Sequence, residues 1–351
     1  MRKSHIHNQS GRVNWLVALV LIVLAALCAA ALLAWKDYRR FVDAPLLLNE
    51  TQIIDFPRGT GFREIVRQLR RERITDGSPF YWRVLSRELN VASRLHAGEY
   101  SLQPGLTPRG LIELMAAGKV VQHQFTIVEG WTFKQLRLAL VNAEGIGQTL
   151  AGLDDASIAA RLDIPEGKPE GWFLPETYAW VKGDDDFAIL SRSHAAMRSA
   201  LERLWPERDP DVPLATPYEA LILASIIEKE TGIAEERVLI GGVFSRRLQI
   251  GMRLQTDPTV VYGMGEKYDG NIRRRDLEMD TEFNTYTRAG LPPTPIALPG
   301  LSALQAALHP ADGNALYFVA VGDGSGRHEF SATLNEHNRA VSRYLIRSRQ
   351  R

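Results

Sequence analysis

The amino-acid sequence predicts an α+β protein behind a single N-terminal membrane helix, and three observations lead there. The first is an uncharged, almost wholly apolar run from Val13 to Trp35. The second is a short extended segment followed by Gly and an amphipathic helix, which recurs at Gly59, Gly105 and Gly130. The third is an apolar run, Ala220 to Ile227, that closes on Glu228-Lys229-Glu230-Thr231-Gly232. With 45% hydrophobic and 24% charged residues in 351, the chain has material for one large core or two smaller ones. A formal net charge of +1 gives no bulk electrostatic reason to expect nucleic acid, and no basic nucleic-acid motif is present.

The run 13–35 is roughly 23 residues long, enough to cross about 30 Å of hydrocarbon. A cleaved signal peptide would carry an apolar core of only about 7 to 15 residues, so length favours an anchor. Leu27 before Cys28 argues against a lipoprotein signal, which needs a small residue there. Arg2, Lys3 and Arg12 precede the span and Lys36, Arg39 and Arg40 follow it, so charge bias leaves the orientation open. A short tail before one early anchor commonly stays cytoplasmic, which exports the remainder. Cys28 is the only cysteine and lies in the span, so an exported part has to fold without disulfides.

In the recurring pattern, Ile53 to Phe56 leads to Gly59, Gly61 and Ile65, and Tyr100 to Leu102 leads to Gly105, Thr107 and Leu111. Phe125 to Val128 leads to Gly130, Thr132 and Leu136. Gly permits the turn, Thr caps the first helical amides, and the residue six beyond the Gly packs back on the strand. The pattern resembles the start of the LysM module, a small glycan-binding fold, and fits ordinary capped βα turns equally well. Further on, Glu170-Gly171-Trp172-Phe173-Leu174-Pro175-Glu176-Thr177-Tyr178 lies in a Gly/Pro-framed loop. Its aromatics and carboxylates suit either sugar stacking or a plug of the core beneath a long loop.

Thr216-Pro217-Tyr218-Glu219 reads as a helix start, with Thr as N-cap and Glu closing a capping box, and Gly232 as its left-handed stop. Helical spacing places Glu230 on the face of Leu223, Ile226 and Ile227, and Glu228 above Ala224 and Ser225. Glu230 is therefore the acid expected to lose water and gain a raised pKa, with Glu228 as a supporting neighbour. A frayed, solvated helix end is the plainer alternative for both. A second helix carries Leu239, Ile240, Val243, Phe244 and Leu248 and ends at Gly251. Gln255, Thr256 and Asp257 before Pro258, and Asn284 with Tyr286 in a later constrained loop, offer donors and acceptors. The C-terminal part reads as a hairpin around Gly322 to Gly326, then a helix from Leu334 to Arg347 with Val341 and Leu345 inward.

Ala224-Ser225-Ile226-Ile227-Glu228-Lys229-Glu230-Thr231, the stretch Met252 to Gly265, Asn284-Thr285-Tyr286-Thr287, Gly290-Leu291-Pro292-Pro293 and His309-Pro310-Ala311 together resemble the YceG-like family of endolytic murein transglycosylases. The likeness covers nearly the whole chain. It implies a cytoplasmic tail 1–12, a transmembrane helix 13–35, a linker 36–47, a LysM-like subdomain 48–122 and, at 123–347, a mixed α+β catalytic domain related to lysozyme-like transglycosylases. The location implied is the inner membrane, single-pass, with the C-terminal domain in the periplasm. The Glu-Ser pair of such enzymes matches Glu230-Thr231, which makes Glu230 the catalytic residue. Glu228, Thr231, Gln255, Asp257, Tyr262, Asn284 and Tyr286 become substrate-binding or supporting residues.

The resemblance further implies cleavage of the β-1,4 bond between N-acetylmuramic acid and N-acetylglucosamine with 1,6-anhydro ends, terminating nascent glycan strands. The partners implied are peptidoglycan glycan strands, the membrane and peptidoglycan synthases. No cofactor or metal is expected, since His309, His328 and His337 lack a zinc-binding spacing. Two rival readings stand beside the lyase: a membrane-anchored peptidoglycan-binding scaffold without catalysis, and a muramidase that uses water.

Overall fold

A computed structural model describes residues 10–91 and 94–349. Most of the expected tail 1–12 lies outside the described residues. The chain divides into two compact units, one of residues up to 122 together with 181–183, the other of 123–180 and 184 onward. The architecture is mixed α+β in both.

In the first unit, helix α1 (Ser10–Asp43) is long and apolar enough to cross a membrane, and its apolar window is not buried by protein. The residues 36–47, expected as a linker, continue this helix to Asp43. Tyr38, Val42 and Leu46 then enter the core of the unit. Strand β1 (Gln52–Phe56) is followed by α2 (Phe62–Arg71), α3 (Pro79–Glu88), β2 (Gly98–Leu102) and α4 (Pro108–Ala116). β1 and β2 pair antiparallel with Gln52 opposite Leu102. Alternation turns Ile54, Phe56, Tyr100 and Leu102 inward onto Leu69, Trp82, Leu85 and Leu111.

The second unit begins with β3 (His123–Thr126), α5 (Phe133–Val141), α6 (Asp155–Arg161) and β4 (Thr177–Trp180), and β4 pairs antiparallel with β3. The recurring sequence pattern thus has two outcomes. Its first two copies supply partner strands of one sheet, and the third pairs with a strand that no repeat predicted. Thr107 and Thr132 cap their helices as expected, whereas Gly61 at the corresponding place in the first copy makes no side-chain cap.

Helices α7 (Asp186–Leu204), α8 (Pro217–Glu230), α9 (Ala234–Gln249), α10 (Asp257–Met264), α11 (Arg274–Glu278) and α12 (Leu301–Leu308) follow, then the hairpin β5 (Tyr317–Ala320) and β6 (His328–Ser331) and helix α13 (Leu334–Arg349). α8 is the centre of the core: every residue from Ala220 to Ile227 is buried, and it packs on α9, α10 and α12. Ser225, polar in this run, is satisfied by donating to Ile222 O at 2.7 Å and accepting from Ile296 N at 3.0 Å. α9 lies close to α12 through Gly241, where a Cβ would meet Ala306 O at 2.4 Å.

Three local expectations need correction. α8 stops at Glu230 because Thr231 turns extended (φ −145°, ψ 137°) and its hydroxyl accepts from Ile233 N, so Gly232 has no left-handed role. Glu219 reaches back to Ala215 N rather than to the N-cap amide. On α13, Leu345 is exposed, and it is Ala340 that is buried.

Candidate active site

The last turn of α8 directs its three charged side chains to three different environments. Glu228 is engulfed, with 4% of its side chain exposed, and it pairs with Arg237 at 3.2 Å and accepts from Gly300 N at 2.9 Å. Lys229 is exposed and donates to Gly130 O at 3.1 Å. Glu230 opens into a cavity of about 430 Å³ together with Arg247, Gln255, Thr256, Asp257 and Tyr286.

Burial is the largest influence on the Glu230 carboxyl and pushes its pKa up to about 7. The Thr256 hydroxyl, which donates to Glu230 Oε1, works in the opposite direction by stabilising the anion. The Asp257 carboxylate raises the value further, while His328 and Arg247 lower it. A carboxyl balanced near neutrality can give a proton and take one back.

The segment leading into α10 is shaped for this contact. Gln255 has φ +50°, a left-handed conformation rare for a residue of its kind. Its amide donates to Thr285 O, and Thr256 N donates to Thr285 Oγ1 at 3.0 Å. These bonds, with Thr259 Oγ1 against Thr256 O at 2.8 Å, fix where the Thr256 hydroxyl points. Asp257 in turn accepts from Tyr286 OH at 2.6 Å, and desolvation followed by this carboxylate raises the phenol's pKa.

Of the residues expected at the site, Glu230, Gln255, Asp257 and Tyr286 line one cavity. Asn284 does not reach it. With 1% exposure, its amide nitrogen donates to the carbonyls of Asp276, Leu277 and Met279, and its oxygen accepts from Tyr286 N, so it holds the loop that presents Tyr286. Thr231 shapes the turn after α8. Tyr262 faces a different cavity and donates to Glu170 Oε2 at 3.1 Å. Trp172 and Phe173 belong to the core, stacked on Tyr218 and Phe133, and take the plug role rather than that of sugar platforms.

Three side chains that line the Glu230 cavity, Arg247, Tyr317 and His337, were not anticipated. Arg247 is buried, donates to the carbonyls of Leu316 and Leu254 at 2.6 Å each, and lies 5.3 Å from the Tyr317 ring centroid. It fastens the hairpin to the loop before α10. Tyr317 and His337, stacked at 5.2 Å, form the far wall, and burial with the Arg247 charge keeps the imidazole below its usual pKa. Glu170, 8% exposed, also has a pKa pushed up to about 7 by burial. An arginine pair, Arg246-Arg247, inside an apolar helix was the one available signal. Tyr317 on the hairpin and His337 on α13 carried none, because their place in the wall depends on tertiary packing.

Fold and site together define a class: an α+β protein with an apolar N-terminal helix and a carboxyl group, its pKa pushed up to about 7, in the wall of a cavity. The profile of the YceG-like family matches residues 54–343, and the chain belongs to that family. It is 31% identical over 271 residues to the endolytic murein transglycosylase of Bacillus subtilis, an alignment covering 72% of this chain and 74% of that protein. The endolytic murein transglycosylase of Streptococcus pneumoniae D39 is 26% identical over 284 residues, covering 72% of this chain and 51% of that protein. The chain therefore spans about half the length of the pneumococcal relative. A crystal structure of a yceG-like protein from Listeria monocytogenes shares 29% identity, with a TM-score of 0.49, over 83% of this chain and 99% of that one.

Proposed function

We propose that the protein is a lytic transglycosylase that cleaves the β-1,4 bond between N-acetylmuramic acid and N-acetylglucosamine within peptidoglycan, leaving 1,6-anhydro ends. The observation that carries this reading is the Glu230 carboxyl, held near neutrality in a cavity and hydrogen-bonded by Thr256. Family membership and relatives named endolytic murein transglycosylases supply the substrate class.

In its protonated form Glu230 gives its proton to the bridging oxygen as the C1–O bond breaks and positive charge grows on the muramic acid ring. The carboxylate left behind takes the proton of that sugar's own C6 hydroxyl, whose oxygen closes on C1. The proton count balances and no water is consumed. Gln255, Asp257 and Tyr286 line the cavity, and their polar groups serve to orient the sugar. Glu228, Thr231 and Asn284 act indirectly, through the helix end and the loop.

The domain roles follow in the same reading. Residues 13–35 anchor the chain in the inner membrane with the C-terminal domain in the periplasm, where nascent glycan is accessible and peptidoglycan synthases are the expected neighbours. Residues 48–122 form a LysM-like glycan-binding subdomain, supported by the strand–helix–helix–strand order of β1, α2, α3 and β2. Residues 123–347 form the catalytic domain, related to lysozyme-like transglycosylases. Asp257 in the same cavity favours one alternative, a muramidase in which a second carboxylate activates water. Mass analysis of peptidoglycan treated with the purified full chain separates the readings. Anhydro ends support the lyase, reducing ends the muramidase, and intact glycan a scaffold.

A further inference from the structure

Glu170 and Tyr262 are unused by the chemistry above, although Glu170 is deeply buried and the cavity they border is larger than that of Glu230, at about 770 Å³. Glu170 is tightly placed. Its two carboxylate oxygens accept from Phe133 N at 2.9 and 3.1 Å, and Tyr262 donates to Oε2. Gly171 makes this turn possible, with φ +84° and no room for a Cβ, which would meet Pro295 at 2.5 Å. Tyr262 packs edge-on against Phe283, so the carboxyl and phenol are framed by aromatic rings.

The two cavities share three elements among their walls. The end of α8 sends Lys229 to one and Glu230 to the other; α10 sends Tyr262 and Asp257; the loop after α11 sends Phe283 and Tyr286. Asp257 and Tyr262 lie five positions apart on α10, about 7.5 Å of rise and about 140° of turn, so the two cavities take different sides of one helix. The larger cavity's lining balances Lys134, Lys168 and Lys229 against Asp155, Glu170 and Glu266, and Lys134 pairs with Glu266. Balanced charge, aromatic edges, a carboxyl and a phenol suit a neutral ligand rich in hydroxyl and acetamido groups.

We propose that this second cavity is a saccharide subsite on the same glycan track, in which Glu170 and Tyr262 hydrogen-bond an N-acetylhexosamine unit displaced from the scissile bond. The proposal rests on the lyase reading and deepens it. A strand that fills both cavities extends beyond the broken bond, which favours cuts inside a strand over cuts at its end.

The test compares kcat/KM of the detergent-solubilised full chain on long glycan strands and on the shortest oligosaccharide it cleaves. Tyr262→Phe and Glu170→Gln are each expected to lower the long-to-short preference about tenfold, the effect of about one hydrogen bond. An unchanged preference overturns the proposal, whether both substrates suffer equally, as a purely structural role requires, or neither does. A direct binding measurement separates this from the lyase reading. In a Glu230→Gln background, adding Tyr262→Phe is expected to weaken affinity for long glycan strands about tenfold, and equal affinities overturn the subsite even if anhydro products are found. Wild-type protein that yields no anhydro ends sinks the lyase reading, and the binding comparison still decides the subsite.

Discussion

Thr256 donates its hydroxyl hydrogen to Oε1 of Glu230, from a backbone that Thr285 holds in place. This bond favours the carboxylate, against a burial that favours the acid. The balance sets the pH range in which the acid can work.

Thr256→Val removes the bond and raises the pKa of Glu230. Because the first step needs the protonated acid, activity falls as pH rises through that pKa. The descending limb of the pH–kcat profile is expected to move upward by roughly half a unit to one unit, the equivalent of one net hydrogen bond. A limb that stays or moves down contradicts the assignment.

Asp257→Asn is expected to shift the same limb the other way. Its carboxylate raises the Glu230 pKa, so neutralising it lets Glu230 ionise at lower pH. Opposite displacements in the two variants, measured on the same substrate, distinguish electrostatic tuning from general damage to the cavity.

Glu170 links pH to stability. Its folded-state pKa, about 7, lies above the ordinary 4.5, so the folded chain retains a proton that the unfolded chain has released. The resulting contribution is fully present below about pH 4.5 and is lost as pH rises through about 7. Glu170→Gln is expected to abolish it, so that the variant-minus-wild-type difference in unfolding free energy changes by an order of 1–3 kcal/mol between pH 4.5 and 8. Denaturant titration at the two pH values reads this difference, and a constant difference contradicts the shifted pKa.

Arg237 and Glu228 form a largely buried pair. Arg237→Ala leaves the Glu228 charge without its partner and is expected to cost about 3–5 kcal/mol. Glu228→Gln added to Arg237→Ala is expected to recover part of that loss. Additive losses in a double-mutant cycle would show that the two side chains are not coupled.

Much of the fold was legible where one short segment decides its own conformation. The apolar run of α8, its Thr-Pro start and the Thr107 and Thr132 caps were readable because their signals span only a few residues. The stop of α8 was misplaced because the Thr231 hydroxyl competes locally for Ile233 N, an alternative to a glycine turn that spacing does not reveal. In the site, helical periodicity separated Glu230 from Glu228, and the donor-rich loops pointed to Gln255, Asp257 and Tyr286. Tyr262 lies five residues after Asp257 on α10, which carries it to the other cavity. Arg247, Tyr317 and His337 depend on a hairpin that packs against the site from more than 60 residues away in sequence, the Arg247–Leu316 bond spanning 69. No local pattern encodes that distance.

The most direct test of the account is the rate at which Glu230→Gln full-length protein forms 1,6-anhydro ends on peptidoglycan, measured beside Glu228→Gln with folding checked by thermal unfolding. The account predicts a folded Glu230→Gln protein whose kcat has fallen at least about a thousandfold, since acid and base are the same lost group. Glu228→Gln is predicted to retain measurable turnover at reduced stability. A Glu230→Gln protein that still forms anhydro ends at the wild-type rate would contradict the central claim.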